Sequence, residues 1–142
     1  MTVREAIASD LDTVRELWEA LYAECPEPEH ERKEWENIAA DVEIAIDEHV
    51  ALLAEEDGRA VGLLLGRAKS GRIGYVSDLY VRPDHRRRGI ARALLYEGVR
   101  RLGREVVTLD VDASNAAARA FYVRLGFHEQ SSRLAVRAEA LA

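Results

Sequence analysis

The sequence predicts an α/β (mixed α+β) fold with helices packed on the faces of one sheet. Three patterns predict it: an amphipathic helical repeat near the N-terminus, two apolar segments joined by a tight-turn signal, and alternating strand and helix patterns in the second half. The 142 residues suit one domain spanning residues 1–142, because this length buries an ordinary core and is short for two domains.

The N-terminal part predicts a strand and two helices. Residues 2–6 fit a short strand, and apolar residues recur at helical spacing from Leu11 to Tyr22. Ser9, followed three residues later by Asp12, resembles a capping box for this helix. The segment Cys25-Pro26-Glu27-Pro28 ends the helix, because proline lacks an amide donor. The expected apolar face of the second helix consists of Trp35, Ile38, Ala39, Val42 and Ile46.

The middle of the chain predicts a β-hairpin and a third strand. Residues 50–54 and 60–68 are apolar and are joined through Glu56-Asp57-Gly58-Arg59, in which Asp-Gly favours a tight hairpin turn. The third strand is expected over residues 72–82, where Pro83 ends it.

The second half alternates helix and strand patterns. A helical pattern runs from residue 90 to residue 102 and ends at Gly103. A strand is expected over residues 105–111 and a further helix over residues 114–125. Residues 127–137 have strand character.

Composition narrows the function classes. Apolar residues make up 48% and charged residues 32%, the balance of a globular protein. Uninterrupted apolar runs are far shorter than the about 20 residues that cross a bilayer, so no membrane partner is expected. The N-terminus lacks a secretion-signal pattern and Cys25 is the single cysteine, so the cytoplasm is the expected location. One cysteine and four scattered histidines predict no metal site.

Charge is unevenly distributed along the chain. The net charge is −6, which disfavours a nucleic-acid partner. Thirteen acidic and two basic residues lie between Glu24 and Asp57, whereas eight arginines and two acidic residues lie between Arg82 and Arg104. The acidic segment is either ordinary helix surface or an attraction for a cationic amine, and the residues for that second role are Glu34, Glu36 and Asp41.

The most informative segment is a strand that runs through a basic turn into a helix, between Val76 and Ala91. The first amides of a helix lack intrahelical acceptors and carry the positive end of the helix dipole, so they favour an anion such as a diphosphate. Gly89 allows close approach, and the surrounding arginines add positive charge. The alternative is a solvated basic turn.

This segment resembles the acetyl-CoA motif of the GNAT acetyltransferases, in which Gln or Arg is followed by two residues, Gly, one residue, and Gly or Ala. Arg86, Gly89 and Ala91 fill it in order. A second resemblance lies downstream, where Asn115 follows a strand and Phe121-Tyr122 precedes Gly126-Phe127. The resemblance covers nearly the whole chain, and it implies a mostly antiparallel twisted sheet that splays between its two central strands.

The resemblance also implies roles for individual residues. Tyr122 would be the general acid toward the departing sulfur, Asp78 the candidate general base, and the Leu79 amide the donor to the thioester oxygen. Asn115 and Tyr122 would contact the arm of acetyl-CoA. The remaining residues implied to bind this co-substrate are Leu79, Tyr80, Val81, Arg86, Arg87, Arg88, Gly89, Ile90, Ala91 and Arg92.

Several assignments have a structural alternative. Tyr122 fits a core aromatic, Asn115 fits a helix cap as well as a cofactor contact, and Asp78 fits a strand carboxylate paired with an arginine. Some relatives carry glutamate at the positions that hold Ser77 and Tyr75 here. Strand alternation turns Asp78 away from the pocket unless a bulge intervenes.

The implied function is direct transfer of acetyl from acetyl-CoA to an amine, on a small molecule or a peptide. The alternative of the same fold is a non-catalytic acyl-CoA-binding sensor. A nucleic-acid patch at the basic turn is a further alternative, which the overall acidity disfavours. The sequence leaves open the acceptor, the general base, a preference for longer acyl groups and the formation of a homodimer.

Overall fold

The computed structural model describes residues 1–25, 39–40, 42–43 and 49–141. They belong to two compact units, Met1–Asp110 and Val111–Ala142. The predicted second helix falls mostly outside the described residues, as do Glu34, Glu36 and Asp41. Four described residues within it, 39–40 and 42–43, are helical, and Val42 is buried.

The first unit contains a five-stranded sheet whose order follows the chain. Neighbouring strands are antiparallel from β1 to β4, and β5 pairs with β4 in parallel. The strands are β1 (Thr2–Glu5), β2 (Val50–Glu56), β3 (Arg59–Ala68), β4 (Ile73–Val81) and β5 (Val106–Leu109), and the helices are α1 (Leu11–Glu24) and α2 (Ile90–Leu102). The predicted mixed, mostly antiparallel sheet with helices is therefore confirmed.

The predicted hairpin between β2 and β3 has the geometry that Asp-Gly favours. Asp57 has φ 51° and Gly58 has φ 74°, so both central residues are left-handed, as in a type I′ turn. This turn matches the twist of the paired strands and fixes their register, with Glu56 opposite Arg59.

The helices use opposite faces of the sheet. Leu63 and Leu65 of β3 share a buried apolar cluster with Leu17 and Trp18 of α1. The alternate residue Leu64 lies toward α2, where a Cβ on Gly98 would come within 2.9 Å of its side chain. Small residues therefore let α2 pack closely on this face. Within the described residues, no helix is long and apolar enough to span a bilayer.

Strand β4 contains a bulge. Leu65 pairs with Asp78, whereas the next residue of β3, Gly66, pairs with Val76, which leaves Ser77 as an inserted residue. The Ser77 hydroxyl donates to the Leu65 carbonyl at 3.2 Å. Because a one-residue insertion reverses the alternation of side chains, Asp78 lies on the α1 face of the sheet and not on the α2 face.

The start of α1 differs from the predicted capping box. Ser9 lies inside a 3₁₀ turn, Ala8–Asp10, and makes no cap. The Asp10 carboxylate instead accepts from the Ile7 amide at 2.8 Å and pairs with Arg4. The prediction was wrong because Asp10, a charged acceptor one residue later, takes the exposed amide and is held there by Arg4. This pairing lowers the pKa of Asp10.

The second unit contains α3 (Ala116–Arg124). Its C-terminus forms a Schellman motif, with Gly126 at φ 101° and the Phe127 amide donating to the Tyr122 carbonyl at 3.0 Å. The prediction of a strand over residues 127–137 is wrong, since none of these residues lies in a strand. Strand formation depends on packing more than on residue type, and Leu134 is 91% exposed.

Candidate active site

Strands β4 and β5 separate halfway along β4. Their pairing ends at Val76 and Leu109, so the second half of β4, beginning at Ser77, has no partner on β5. The resemblance to acetyltransferases implies a splay at this part of β4, between two central strands. In the described sheet, the unpaired half of β4 lies beside the end of the edge strand β5. This separation opens the sheet beside residues 77–81.

The hydrogen-bonding pattern of β4 determines which backbone groups face this opening. The Arg82 amide donates to the Val61 carbonyl at 2.8 Å, so these two residues form a hydrogen-bonded pair. Such pairs alternate along an antiparallel ladder. The backbone groups of Leu79 and Val81 therefore point away from β3 toward the opening, whereas those of Tyr80 point toward β3.

The loop after β4 forms a concave run of backbone donors, which we call the amide cradle (residues 87–92). Arg87 has φ 62° and Gly89 has φ 80°, and this alternation curves the backbone into α2. Within the described part of the chain, none of these six amides donates to a protein acceptor. A Cβ on Gly89 would meet no atom within 4 Å, so the space above it is open.

Arg86 holds the entrance of the cradle in place. Its Nε donates to the Val81 carbonyl at 2.9 Å, and its guanidinium pairs with Glu24 at the end of α1. The Tyr80 hydroxyl donates to the same carboxylate at 3.1 Å. Burial and the charge of Glu24 raise the pKa of Tyr80, which keeps it a donor. The Arg86 side chain is thus occupied by the protein.

Other charged side chains line the cradle. Glu56 Oε2 lies 3.3 Å from Arg88 and 3.5 Å from the His85 ring, which joins the β2–β3 turn to the loop. Arg92 donates to the Tyr96 hydroxyl at 3.1 Å. Arg87 has no side-chain partner among the residues described. The arginines add positive potential to the amides.

Three polar residues meet where β4 and β5 separate, and we call them the parting residues (Tyr75, Asp78 and Asp110). The Tyr75 hydroxyl donates to Asp110 Oδ2 at 2.7 Å. Burial, this hydrogen bond, and the charges of Asp110 and Asp78 raise the pKa of Tyr75 to about 12. Tyr75 is therefore a protonated donor at neutral pH, beside two carboxylates.

Sequence reasoning found Asp78 but missed Asp110 and the role of Tyr75. The signal for Asp110 was its place near the end of the strand predicted over residues 105–111, just before the second motif. The sequence placed Asp78 in the pocket only if a bulge interrupted the strand, and the structure has this bulge at Ser77. The bulge puts the Asp78 side chain on the same face as Tyr75 and Tyr80.

In the second unit, residues of the downstream motif contact one another. Asn115 Oδ1 accepts from the Ala118 amide at 3.1 Å, which confirms the helix-cap interpretation. The Tyr122 ring lies between Phe121 and Phe127, with centroid distances of 5.2 and 5.4 Å. These edge contacts fix the ring on α3.

No group of three or more His, Cys, Asp or Glu side chains suited to a metal ion occurs in the described ranges.

Comparison with known proteins identifies the family. The family model described as acetyltransferase (GNAT) matches residues 12–127. The chain belongs to the GNAT acetyltransferase family. It is 31% identical to an acetyltransferase of Sodalis glossinidius over 94% of this chain and 92% of that protein.

Other GNAT relatives match less of their own length. The chain is 28% identical to an uncharacterized N-acetyltransferase of Methanocaldococcus jannaschii over 91% of this chain, but spans 61% of that protein. It is 40% identical to mycothiol acetyltransferase of Streptomyces coelicolor over 61% of this chain and 29% of that enzyme. The chain therefore spans only part of these two relatives.

Solved structures show the same GNAT fold. An aminoglycoside acetyltransferase, AAC(6')-Iy with a CoA-containing bisubstrate analogue, superposes with TM-score 0.77 at 21% identity, covering 96% of both chains. PaiA N-acetyltransferase of Thermoplasma acidophilum with coenzyme A gives TM-score 0.73 at 20% identity, covering 93% of this chain and 92% of that one.

Proposed function

We propose that this chain is an acetyl-CoA-dependent N-acetyltransferase that moves acetyl directly to an amine, and that residues 1–142 are one catalytic domain. The observation that carries the proposal is the amide cradle, whose donors have no acceptor within the described chain. The match of the GNAT model to residues 12–127, which spans both compact units, supports the single domain.

The cradle suits the pyrophosphate of acetyl-CoA. Amides of Arg87, Arg88, Gly89, Ile90, Ala91 and Arg92 would donate to phosphate oxygens, helped by the dipole of α2. Arg86 would act as a positioning residue, because its guanidinium already binds Val81 and Glu24. Two of the solved relatives contain coenzyme A or a CoA analogue, which agrees with this role.

The opening between β4 and β5 suits the pantetheine arm and the thioester. The backbone groups of Leu79 and the amide of Val81 face it, and the Leu79 amide would stabilise negative charge on the thioester oxygen. Tyr80 would contribute by holding Glu24 rather than through its backbone, which faces β3. Asn115 would contact the arm from the cap of α3.

The chemistry requires a base, an acid and a neutral amine. The amine loses a proton toward Asp78, directly or through water, and its lone pair then attacks the thioester carbon. The carbon–sulfur bond breaks, and the departing sulfur takes a proton from the Tyr122 hydroxyl. The new amide nitrogen loses its second proton, which returns through water to Tyr122. Because the amine attacks the thioester directly, the acetyl group never forms a bond to the enzyme. No nucleophilic side chain is therefore required.

The acceptor class proposed is a primary amine on a small molecule or a peptide. Relatives named for aminoglycoside and mycothiol acetylation show that the family includes enzymes for small acceptors.

Calorimetry with acetyl-CoA and an assay of CoA release over a broad amine panel test the proposal together. We expect saturable binding and release of CoA with at least one amine, with the N-acetyl product identified by mass spectrometry. Absence of binding would overturn the assignment of the cradle. Tight binding without CoA release from any amine would instead indicate an acyl-CoA sensor.

Replacement of Tyr122 by Phe tests the general acid. Removing the hydroxyl should lower kcat by about a hundredfold, within the range of acid–base catalysis, with little change in acetyl-CoA affinity. Cys25→Ala is the control, and it should leave kcat unchanged if transfer is direct. An unaffected kcat in Tyr122→Phe, or a large loss in Cys25→Ala, would contradict these roles.

A further inference from the structure

Two basic side chains flank the ring of Tyr75 on the α1 face of the sheet. The Arg67 guanidinium carbon lies 5.1 Å from the ring centroid, and Lys69 Nζ lies 5.5 Å from it. Arg67 is the cross-strand partner of Tyr75, and Lys69 lies two residues further on the same face. Two like charges are thus held against one ring.

These cations differ from their neighbours on the same β3–β4 hairpin and the loop beside it. Arg72 forms two hydrogen bonds with Glu105, both at 2.9 Å. Arg104 donates to the carbonyls of Ser70 and Leu102. Within the described chain, neither Arg67 nor Lys69 has a carboxylate partner. An anion that binds to both side chains would offset these two positive charges.

The hydroxyl end of the same tyrosine carries the opposite charge. Tyr75 donates to Asp110 at 2.7 Å, and Asp78 is close enough for its charge to raise the Tyr75 pKa. Together the five residues Arg67, Lys69, Tyr75, Asp78 and Asp110 form a mixed-charge patch. Its positive pole is Arg67 and Lys69 beside the ring, and its carboxylate pole is Asp78 and Asp110 beside the hydroxyl, where the charge of Arg67 also acts.

The patch lies beyond the end of the apolar core. Leu65 is the last β3 residue of the buried cluster beneath α1, and Arg67 follows on the same face. Arg67 and Lys69 are exposed, and Tyr75 is partly buried. A small molecule can therefore reach both poles, with the carboxylate pole next to the proposed position of the thioester.

We propose that the acceptor is amphoteric, with its reactive amine at the carboxylate pole and an anionic group, several bonds away, on Arg67 and Lys69. This inference rests on the proposed function, because it names the substrate class of the same site. An ω-amino acid, or a larger amine that carries a carboxylate or phosphate, is an acceptor of this class.

Binding to the intact chain tests the inference without requiring turnover. Paired probes differ only in the anionic group: 4-aminobutanoate, 6-aminohexanoate and 8-aminooctanoate, against butylamine, hexylamine and octylamine. NMR titration in the presence of CoA, which has no acetyl group to transfer, should show at least about tenfold tighter binding for the best amino acid than for its matched amine. Equal or tighter binding of the plain amines would overturn the proposal.

Variants then locate the positive pole. Arg67→Gln with Lys69→Gln should abolish the preference by weakening the amino acid about tenfold, while the matched amine is unchanged. The control is Arg72→Gln, which removes an exposed, ion-paired arginine from the same hairpin and should keep the preference. A preference that survives the double substitution would contradict the patch.

A CoA-release assay on the same probes separates the two proposals. Amino-acid binding without release of CoA from these probes or from any amine of the broad panel would support the patch and contradict the proposed transferase activity. Acetylation of hexylamine as efficient as that of 6-aminohexanoate would support the activity and contradict the patch.

Discussion

The amide cradle and the parting residues are built from different parts of the chain. The cradle consists of consecutive backbone donors, positioned by left-handed backbone at Arg87 and Gly89. The parting residues are side chains from two strands, and Tyr75 and Asp110 are 35 residues apart. A site made of backbone tolerates changes of side chain but not of backbone conformation, whereas a site made of side chains has the opposite sensitivity.

The largest effect should come from removing the charge of Asp78. Asp78→Asn should lower kcat by about a hundredfold, the lower end of the range for general bases, and leave acetyl-CoA affinity unchanged. Asp57→Asn is the matched control, because Asp57 lies in the hairpin turn and asparagine tolerates its positive φ. Steady-state kinetics and calorimetry measure both quantities. A loss of acetyl-CoA affinity with normal kcat would contradict the assignment of co-substrate binding to the cradle and of proton transfer to the parting residues.

A backbone change should affect the cradle alone. Gly89→Ala and Gly103→Ala both place a Cβ at positive φ, at opposite ends of α2, and each costs about 1–2 kcal/mol of strain. We expect Gly89→Ala to bind acetyl-CoA about tenfold more weakly. Gly103→Ala should bind it with unchanged affinity. Thermal unfolding verifies that the two variants lose similar stability. Equal affinities in both would contradict the cradle.

The direction of a smaller effect distinguishes two roles for Arg86. Glu24→Gln removes the negative charge that pairs with Arg86. If Arg86 has a positioning role, acetyl-CoA should bind about threefold more weakly, because an exposed ion pair contributes a free energy of this size. A direct phosphate contact predicts tighter binding, because the guanidinium is released. Glu19→Gln is the control, since Glu19 pairs with Arg15 on the same helix. Calorimetry reports the sign.

The smallest change concerns the ionisation of Tyr75. Asp110→Asn should lower the Tyr75 pKa from about 12, but it should stay above 10.0 because burial is the larger cause of the shift. Alkaline titration of tyrosinate absorbance measures this, with Tyr75→Phe identifying the signal. The raised pKa stabilises the fold below pH 10, and this contribution disappears as the pH rises through about 12. An unchanged pKa would contradict the hydrogen bond to Asp110.

The difference between the two regions explains what the sequence could predict. The cradle follows from a local pattern, since Arg86, Gly89 and Ala91 lie within six consecutive residues where a strand leads into a helix. The tight hairpin turn and the end of α2 at Gly103 were predicted for the same reason. The turn depends on two adjacent residues with positive φ and the helix end on one.

Features that depend on distant partners were not predicted. Asp110 became a candidate only when β5 ended beside β4, and the cap of α1 depended on Arg4 holding Asp10. The unpaired segment at residues 127–137 has strand-like residues, but strand formation requires a neighbouring edge. The role of Arg86 was also invisible, because Glu24 lies 62 residues away.

The inserted residue at Ser77 makes β4 sensitive to length as well as to composition. Deleting Ser77 would alter no proposed contact residue, yet it would move either Tyr75 or Asp78 to the other surface of the sheet. Homologues that lack this insertion would need a carboxylate at an adjacent position to reach the same side. When such sequences are aligned, the presence or absence of the inserted residue decides which face of the sheet a side chain occupies. It therefore matters more than the identity of the aligned residue.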